Sequence, residues 1–196
     1  MKNLILIVLF SFTSYHVYSQ TSTNTKKKST PKSYPKALAS YSDFKNLVTE
    51  IEKHRARNLL DLNAFLKMSK EKNVVILDSR SDYRYNRIHL KGAIHLNFTD
   101  FTQENLWKLI PDPQTKILIY CNNNFSGDQT DFASKMSKPM NKIESQILSN
   151  RKPIMLALNI PTYINLYGYG YKNVYELDEL VSVNDKRIKF EGTKVK

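Results

Sequence analysis

The sequence predicts an α/β layered domain, three layers deep, with a central and mainly parallel sheet flanked by helices. Three observations predict it. The wholly apolar runs Val74-Val-Ile-Leu77 and Ile117-Leu-Ile-Tyr120 suit strands covered on both faces, as in a parallel sheet between helices. Amphipathic stretches at helical spacing alternate with these runs. Roughly 155 residues are left once a leader and a polar linker are set aside, enough for one domain with its own core.

The chain opens on a leader. Lys2 supplies a positive start, Leu4-Ile-Leu-Ile-Val-Leu-Phe10 is apolar, and Val17-Tyr-Ser19 offers a cleavage site before Gln20. Residues 1–19 therefore read as a signal peptide, with an uncleaved anchor as the other reading. The apolar run is well short of the ~20 residues that span a bilayer, so no transmembrane segment is expected in the mature chain. The expected location is exported and periplasmic, with secretion second. Residues 20–40, rich in Ser, Thr, Lys and Pro, cannot bury enough apolar surface to offset chain entropy and read as a disordered basic linker. They contribute five lysines to a formal charge of +12. That balance suits anionic small substrates or an acidic envelope surface as well as a merely solvated surface. No nucleic-acid motif accompanies it, and no nucleic-acid partner is expected.

Phe44, Leu47, Val48 and Ile51 recur at helical spacing behind Ser42, a candidate N-cap, and predict an N-terminal helix over 41–57. Asp61 caps a second helix whose inner face includes Ala64, Phe65 and Met68. The strand 74–77 follows, then a short strand 93–96, then a helix carrying Phe101, Leu106, Leu109 and Ile110 that stops at Pro111-Asp-Pro113. Lys116-Ile-Leu-Ile-Tyr120 is the next strand and Asn173-Val-Tyr-Glu-Leu177 the last. Residues 183–196 read as a solvated basic tail.

Cys121 is the only cysteine. No internal disulfide can form, so in an exported protein this thiol either escapes oxidation by burial or is kept for its reactivity. It closes a buried strand and opens the polar loop Asn122-Asn-Asn-Phe-Ser-Gly127. A lone cysteine is often a small hydrophobe. This position, at the mouth of a tight loop, also suits a nucleophile.

Four elements together carry a family resemblance. Val75-Ile-Leu-Asp-Ser-Arg80, then His89-Leu-Lys-Gly-Ala-Ile94, then Ile117-Leu-Ile-Tyr-Cys121, then residues 166–177 with Gly170-Tyr and Asn173-Val-Tyr-Glu-Leu177 stand in this order. The chain over 58–182 resembles rhodanese-like domains. The resemblance implies that Cys121 is the catalytic nucleophile of a sulfurtransferase, taking sulfane sulfur from a small donor. It would pass that sulfur to a thiol or cyanide through a persulfide. Residues Asn122, Asn123, Asn124, Phe125, Ser126 and Gly127 would form the substrate-binding cradle of backbone N–H groups. A helix terminus behind such a loop favours a thiolate. Asp78, Arg80 and His89 are expected in structural support, pairing with backbone and with each other. No cofactor is implied, and no metal: His16, His54, His89 and His95 have no ligand-set spacing.

The loop departs from the family. Active members usually carry glycine where this chain has Asn124, a residue tolerant of left-handed backbone. The loop also lacks Arg or Lys, which makes a neutral or protein persulfide an easier donor than thiosulfate. The related Cys-x5-Arg phosphatases need an arginine where Gly127 stands, so phosphate chemistry is not expected. Cys121 and Gly170 are 49 residues apart, longer than usual, which defines an insertion over about 129–158 with a helical pattern at Asn141-Lys-Ile-Glu-Ser-Gln-Ile-Leu148. The insertion is either a lid or docking surface for a protein partner, or ornament. It leaves open which helix N-terminus faces Cys121, Ser126 and Asp128 being candidate caps of a short new one. Tyr163, Tyr167, Tyr169, Tyr171 and Tyr175 read as core packing or as a stacking surface. A second function class stands beside the enzyme: a non-catalytic rhodanese-like protein-binding module of the cell envelope.

Overall fold

The structure, a computed structural model, describes residues 33–135 and 157–195. The leader, residues 20–32 of the linker and the helical pattern at 141–148 lie outside the described residues. Contacts divide the chain into Met1–Leu38 and Ala39–Lys196. Residues 33–38 of the first unit are exposed and carry no helix or strand. All that follows belongs to the second.

Helix α1 (Tyr41–Arg57) starts two residues earlier than a Ser42 cap would have set it. Ser40 is the cap, its hydroxyl accepting the Asp43 N–H at 3.2 Å. The helix buries Ile51 and stops at Asn58, whose amide donates to the Val174 carbonyl. Strand β1 (Leu59–Leu60) follows at once. Asp61 then caps α2 (Leu62–Met68) through the Ala64 N–H at 2.7 Å, and this helix buries Leu62 and Phe65. Asn73 takes the turn into β2 (Val74–Asp78) at φ 55°, the left-handed region that asparagine tolerates. Next come α3 (Asp82–Arg87), β3 (His89–Leu90), β4 (Ile94–His95) and α4 (Gln103–Leu109). Strand β5 (Lys116–Tyr120), β6 (Phe125–Ser126), α5 (Asn159–Gly168), β7 (Val174–Leu177), β8 (Val181–Ser182) and β9 (Phe190–Glu191) complete the order.

The central sheet runs β1-β7-β5-β2-β4, every pair parallel, with β5 in the middle. Side chains alternate across it. Ile117 and Ile119 enter one apolar cluster with Ile51 of α1, Leu106 of α4 and Leu166 of α5. Leu118 and Tyr120 enter the other with Phe65 of α2, Phe125 and Ile188. Both faces are covered, which explains why β5 has no charged residue after Lys116. The tyrosines resolve as packing at this junction: Tyr163 and Tyr171 are buried, and the Tyr171 hydroxyl donates to the Ile110 carbonyl at 2.7 Å.

The C-terminal residues are corrected by the structure. The stretch after Ser182 is no solvated tail: Ile188 is buried, β9 pairs antiparallel with β3, and Lys194 is tied to Asp128 and Asp131. Gly192 makes the close approach possible. At φ 128° a side chain there would stand 2.4 Å from the Arg87 carbonyl oxygen.

Candidate functional site

Parallel sheets leave their loops and helix N-termini at the C-terminal ends of the strands, and binding sites gather there. Strands β2 and β5 are neighbours in register, Asp78 beside Tyr120. Asp78-Ser79-Arg80 therefore leaves one strand beside the point where Cys121 leaves the other. Cys121 is extended, at φ −146° and ψ 177°, and a single 3-10 turn over Asn122–Asn124 follows. The sulfur is buried, at 1% residue exposure.

Its direct partner comes from 37 residues further along the chain. The Leu158 backbone N–H donates to Cys121 Sγ at 3.2 Å. Leu158 is the N-cap position of α5, so the sulfur meets the positive end of a ten-residue helix. Pro161, in the first turn, has no N–H to leave unpaired. Ser79 ties this helix to β2, its hydroxyl 2.7 Å from that of Thr162. Neither Ser126 nor Asp128 caps the helix that reaches the sulfur.

Asn124 has a different role from the one its position suggested. It is not left-handed: among the described residues only Asn73 and four glycines have positive φ, Gly127 among them at 92°. Asn124 instead closes the turn by hydrogen bonding. Its Oδ1 accepts the Cys121 N–H at 2.8 Å, and its Nδ2 donates to the Leu177 carbonyl at 2.6 Å and the Glu179 carbonyl at 3.3 Å. Its buried amide thus pins the loop to the end of β7.

Beneath the loop lies a buried ion pair. Arg80, 1% exposed, donates from Nε and a terminal nitrogen to both oxygens of Asp78, and from that nitrogen to the Ile88 carbonyl at 2.6 Å. Tyr120 also donates to Asp78 and receives the Leu90 N–H at 3.1 Å. Burial disfavours the Arg80 charge, but the hydrogen bonds and charge of Asp78 outweigh it and hold its pKa above the usual guanidinium value. Burial and the adjacent Asp78 charge push the Tyr120 phenol well up, so it stays a neutral donor. The other terminal nitrogen of Arg80 reaches Asn122 Oδ1 and the Asp131 carbonyl, each at 3.4 Å. His89 lies further off, with Nδ1 2.7 Å from the Tyr85 carbonyl oxygen and its ring stacked on Tyr85.

A cleft of about 340 Å³ opens beside Cys121, lined by Asn122 and Leu158 together with residues between β2 and α3, the 97–99 turn and residues 133 and 135. Residues missed in the sequence stand here: Ser81 and Arg84 at the start of α3, Asn97, Phe98 and Thr99, and Ala133 and Lys135. Residues 133 and 135 are thus a wall of the cleft. Asn123 Oδ1 accepts the Lys135 N–H at 3.1 Å, and Phe132 packs fully buried between Phe125 and Phe190. Asp131 anchors that wall. Its buried carboxylate takes Arg87 at 2.6 Å, Lys194 at 2.7 Å and Arg84 at 3.5 Å, and the Arg87 hydrogen bond, opposed by burial and reinforced by Lys194, lowers its pKa to about 2.

The structure divides the six loop residues. Asn122 lines the cleft, and Asn123 holds its wall. Phe125 turns into the aromatic core, and Ser126 pairs with β8, its hydroxyl donating to the Val181 carbonyl at 3.4 Å. Positive charge, absent from the loop, reaches the cleft from Arg84 and Lys135. No signal along the chain ties these residues or Leu158 to Cys121. Among the described residues no cluster of three or more His, Cys, Asp or Glu could hold a metal ion, and no helix is long and apolar enough to cross a membrane.

Comparison with known proteins gives one informative match. A family model for the rhodanese-like domain matches residues 61–179. Among solved structures, the chain is similar to a rhodanese with anions from E. coli (14% identity, 61% of this chain and 98% of that one, TM-score 0.34). It is also similar to the BH2092 protein from Bacillus halodurans (15% identity, 76% and 88%, TM-score 0.38). No curated protein sequence matches the chain significantly.

Proposed function

The chain belongs to the rhodanese-like domain family, and from that premise we propose that it is a sulfurtransferase carrying sulfane sulfur as a persulfide on Cys121. The observation that supports this most is the Leu158 N–H directed at Sγ from the start of α5. A sulfur that only filled space would have no use for a helix terminus. That terminus favours negative charge on the sulfur, first as the attacking thiolate and then as an ionised persulfide. In the first step the Cys121 thiolate attacks the sulfane sulfur of a donor, whose remaining fragment leaves with the bonding electron pair. In the second, an acceptor thiolate or cyanide attacks the outer sulfur and the Cys121 thiolate is released. No net redox equivalent is consumed in either step. Asn122 lines the cleft and Asn123 holds its wall, while Asn124 and the Asp78–Arg80 pair keep the loop in place. Burial of Sγ would shield the persulfide from solvent during its lifetime. An exported, periplasmic setting, proposed from the leader, is compatible with a single thiol that has no disulfide partner.

The test compares the protein with Cys121→Ser after incubation with thiosulfate, a polysulfide or mercaptopyruvate. Intact mass should show one added sulfur on the parent protein and none on the variant, and the parent should then pass it to cyanide or a thiol. No adduct and no turnover with any donor overturns the proposal.

A further inference from the structure

Resting on Cys121 as the sulfur carrier, we propose that Arg55, Glu176 and Asn159 are positioning residues that aim the Leu158 N–H at the sulfur. Through them the last turn of α1, which precedes the matched residues 61–179, acts on the reaction. The start of α5 has little to hold it locally. Leu158 supplies no capping side chain, and Pro161 has no N–H. Two distant tethers hold it instead. Ser79, just past β2, has its hydroxyl 2.7 Å from that of Thr162, and Glu176 in β7 accepts the Asn159 side-chain N–H at 2.7 Å. Strands β2 and β7 are the two neighbours of β5. The helix start is therefore fastened on both sides of the strand that delivers Cys121.

The β7 tether has features that packing alone does not require. Glu176 is 1% exposed and pairs in register with Ile119. Cys121 lies two residues beyond Ile119 and is still extended, so the carboxylate and the sulfur project from the same face of the sheet. An unpaired carboxylate there would oppose a thiolate. Arg55 prevents this, donating to one oxygen of Glu176 from Nε at 2.6 Å and to the other from a terminal nitrogen at 2.7 Å. The neutralised carboxylate keeps a lone pair for Asn159, the residue next to Leu158. Asn159 is 7% exposed, and among the described residues none donates to its Oδ1. A buried acceptor without a partner costs stability. The amide thus keeps an orientation that fixes the helix start while leaving its own oxygen unpaired. The N–H so aimed faces Cys121 both as attacking and as leaving thiolate, so misdirecting it slows either step.

Steady-state turnover by the full chain, with polysulfide or thiosulfate as donor and cyanide as acceptor, tests the assignment. None of the three residues lines the cleft, so their loss should lower kcat and spare KM. Asn159→Ala should lower kcat about tenfold with KM within about twofold, less than the loss of a whole oxyanion donor because the Leu158 N–H is displaced and not removed. Arg55→Met should lower kcat at least as far, since it leaves Glu176 unpaired on the face that carries the sulfur. Adding Glu176→Gln to Arg55→Met should bring kcat to within about threefold of the parent, because an amide oxygen still accepts from Asn159 and the charge is gone. Neither Asn159→Ala nor the double variant buries an unpaired charge, so the test stands even if Arg55→Met does not fold.

Tyr163→Phe controls for stability. It loosens the same contact between α1 and α5, where the hydroxyl lies 2.8 Å from His54 Nδ1, and should lower the unfolding midpoint without changing kcat. An unchanged kcat in Asn159→Ala, an equal loss in Tyr163→Phe, or a double variant as slow as Asn159→Ala overturns the inference. Any of these in a parent that loads sulfur, followed by intact mass, defeats this inference alone. A parent that loads sulfur from no donor defeats the carrier reading and this inference with it.

Discussion

Two carboxylate clusters support the loop around Cys121, and they are built in opposite ways. Asp78 and Arg80 are two residues apart on one strand end, both buried, and their hydrogen bonds are completed by Tyr120 and backbone groups. Asp131 is equally buried but draws its cations from α3 and from the last residues of the chain, and these side chains are 28–41% exposed. The first cluster is local, dry and self-contained. The second fastens three distant segments together and shares its charge with solvent. The contrast shows how the fold can hold the loop rigidly and also fix the segment that follows it. The strand ends are locked from below, and the segment around Asp131 is clipped from the side.

Breaking the buried pair should do most damage. Arg80→Met leaves Asp78 charged, enclosed and without its bidentate partner, and should cost about 3–5 kcal/mol in urea unfolding. A loss below about 1 kcal/mol would mean that the pair is not the support its burial implies. Asn124→Ala should follow at about 2–3 kcal/mol, because the Cys121 N–H and the Leu177 carbonyl lose buried partners together. Asn124→Gly should be no more stable than Asn124→Ala, since the position is right-handed and glycine brings no conformational relief there.

The clamp should be weaker and should depend on pH. Asp131 has a lowered pKa in the folded state, about 2, so its stabilisation is present above the ordinary aspartate value near 4 and is lost as the pH falls through about 2. Asp131→Asn should cost about 1–2 kcal/mol at pH 7, less than the full shift implies because the cations are solvated. The difference between parent and variant should shrink between pH 4 and pH 2. A difference that is constant over that range would remove ionisation as its cause.

The same contrast explains what could be read along the chain. Val75-Ile-Leu-Asp-Ser-Arg80 and Ile117-Leu-Ile-Tyr-Cys121 were legible because strand, turn and functional residue are contiguous, and apolar runs of that length have few other uses. The parallel sheet followed from them. Of the two-residue strands only β4 was expected, from the run Ala93-Ile-His-Leu96; β1, β3, β6, β8 and β9 were not legible, since two residues by themselves cannot display a period. The tail 183–196 was misread for a related reason. Its lysines and arginines dominate its composition, whereas its structure depends on buried Ile188 and on the Lys194 contacts. Asn124 was read for backbone tolerance when its side chain carried the information.

By itself the sequence determined the α/β layering, the family and the position of the thiol at the end of a central strand. Periodicity and short motifs are local, and neighbouring residues carry them. Only the tertiary structure decided what Cys121 meets. The Leu158 N–H lies 37 residues further on, and Arg84 and Lys135 come from segments that share no pattern with the loop. Hydrogen bonds and fields act over a few ångströms of space, whatever the distance along the chain.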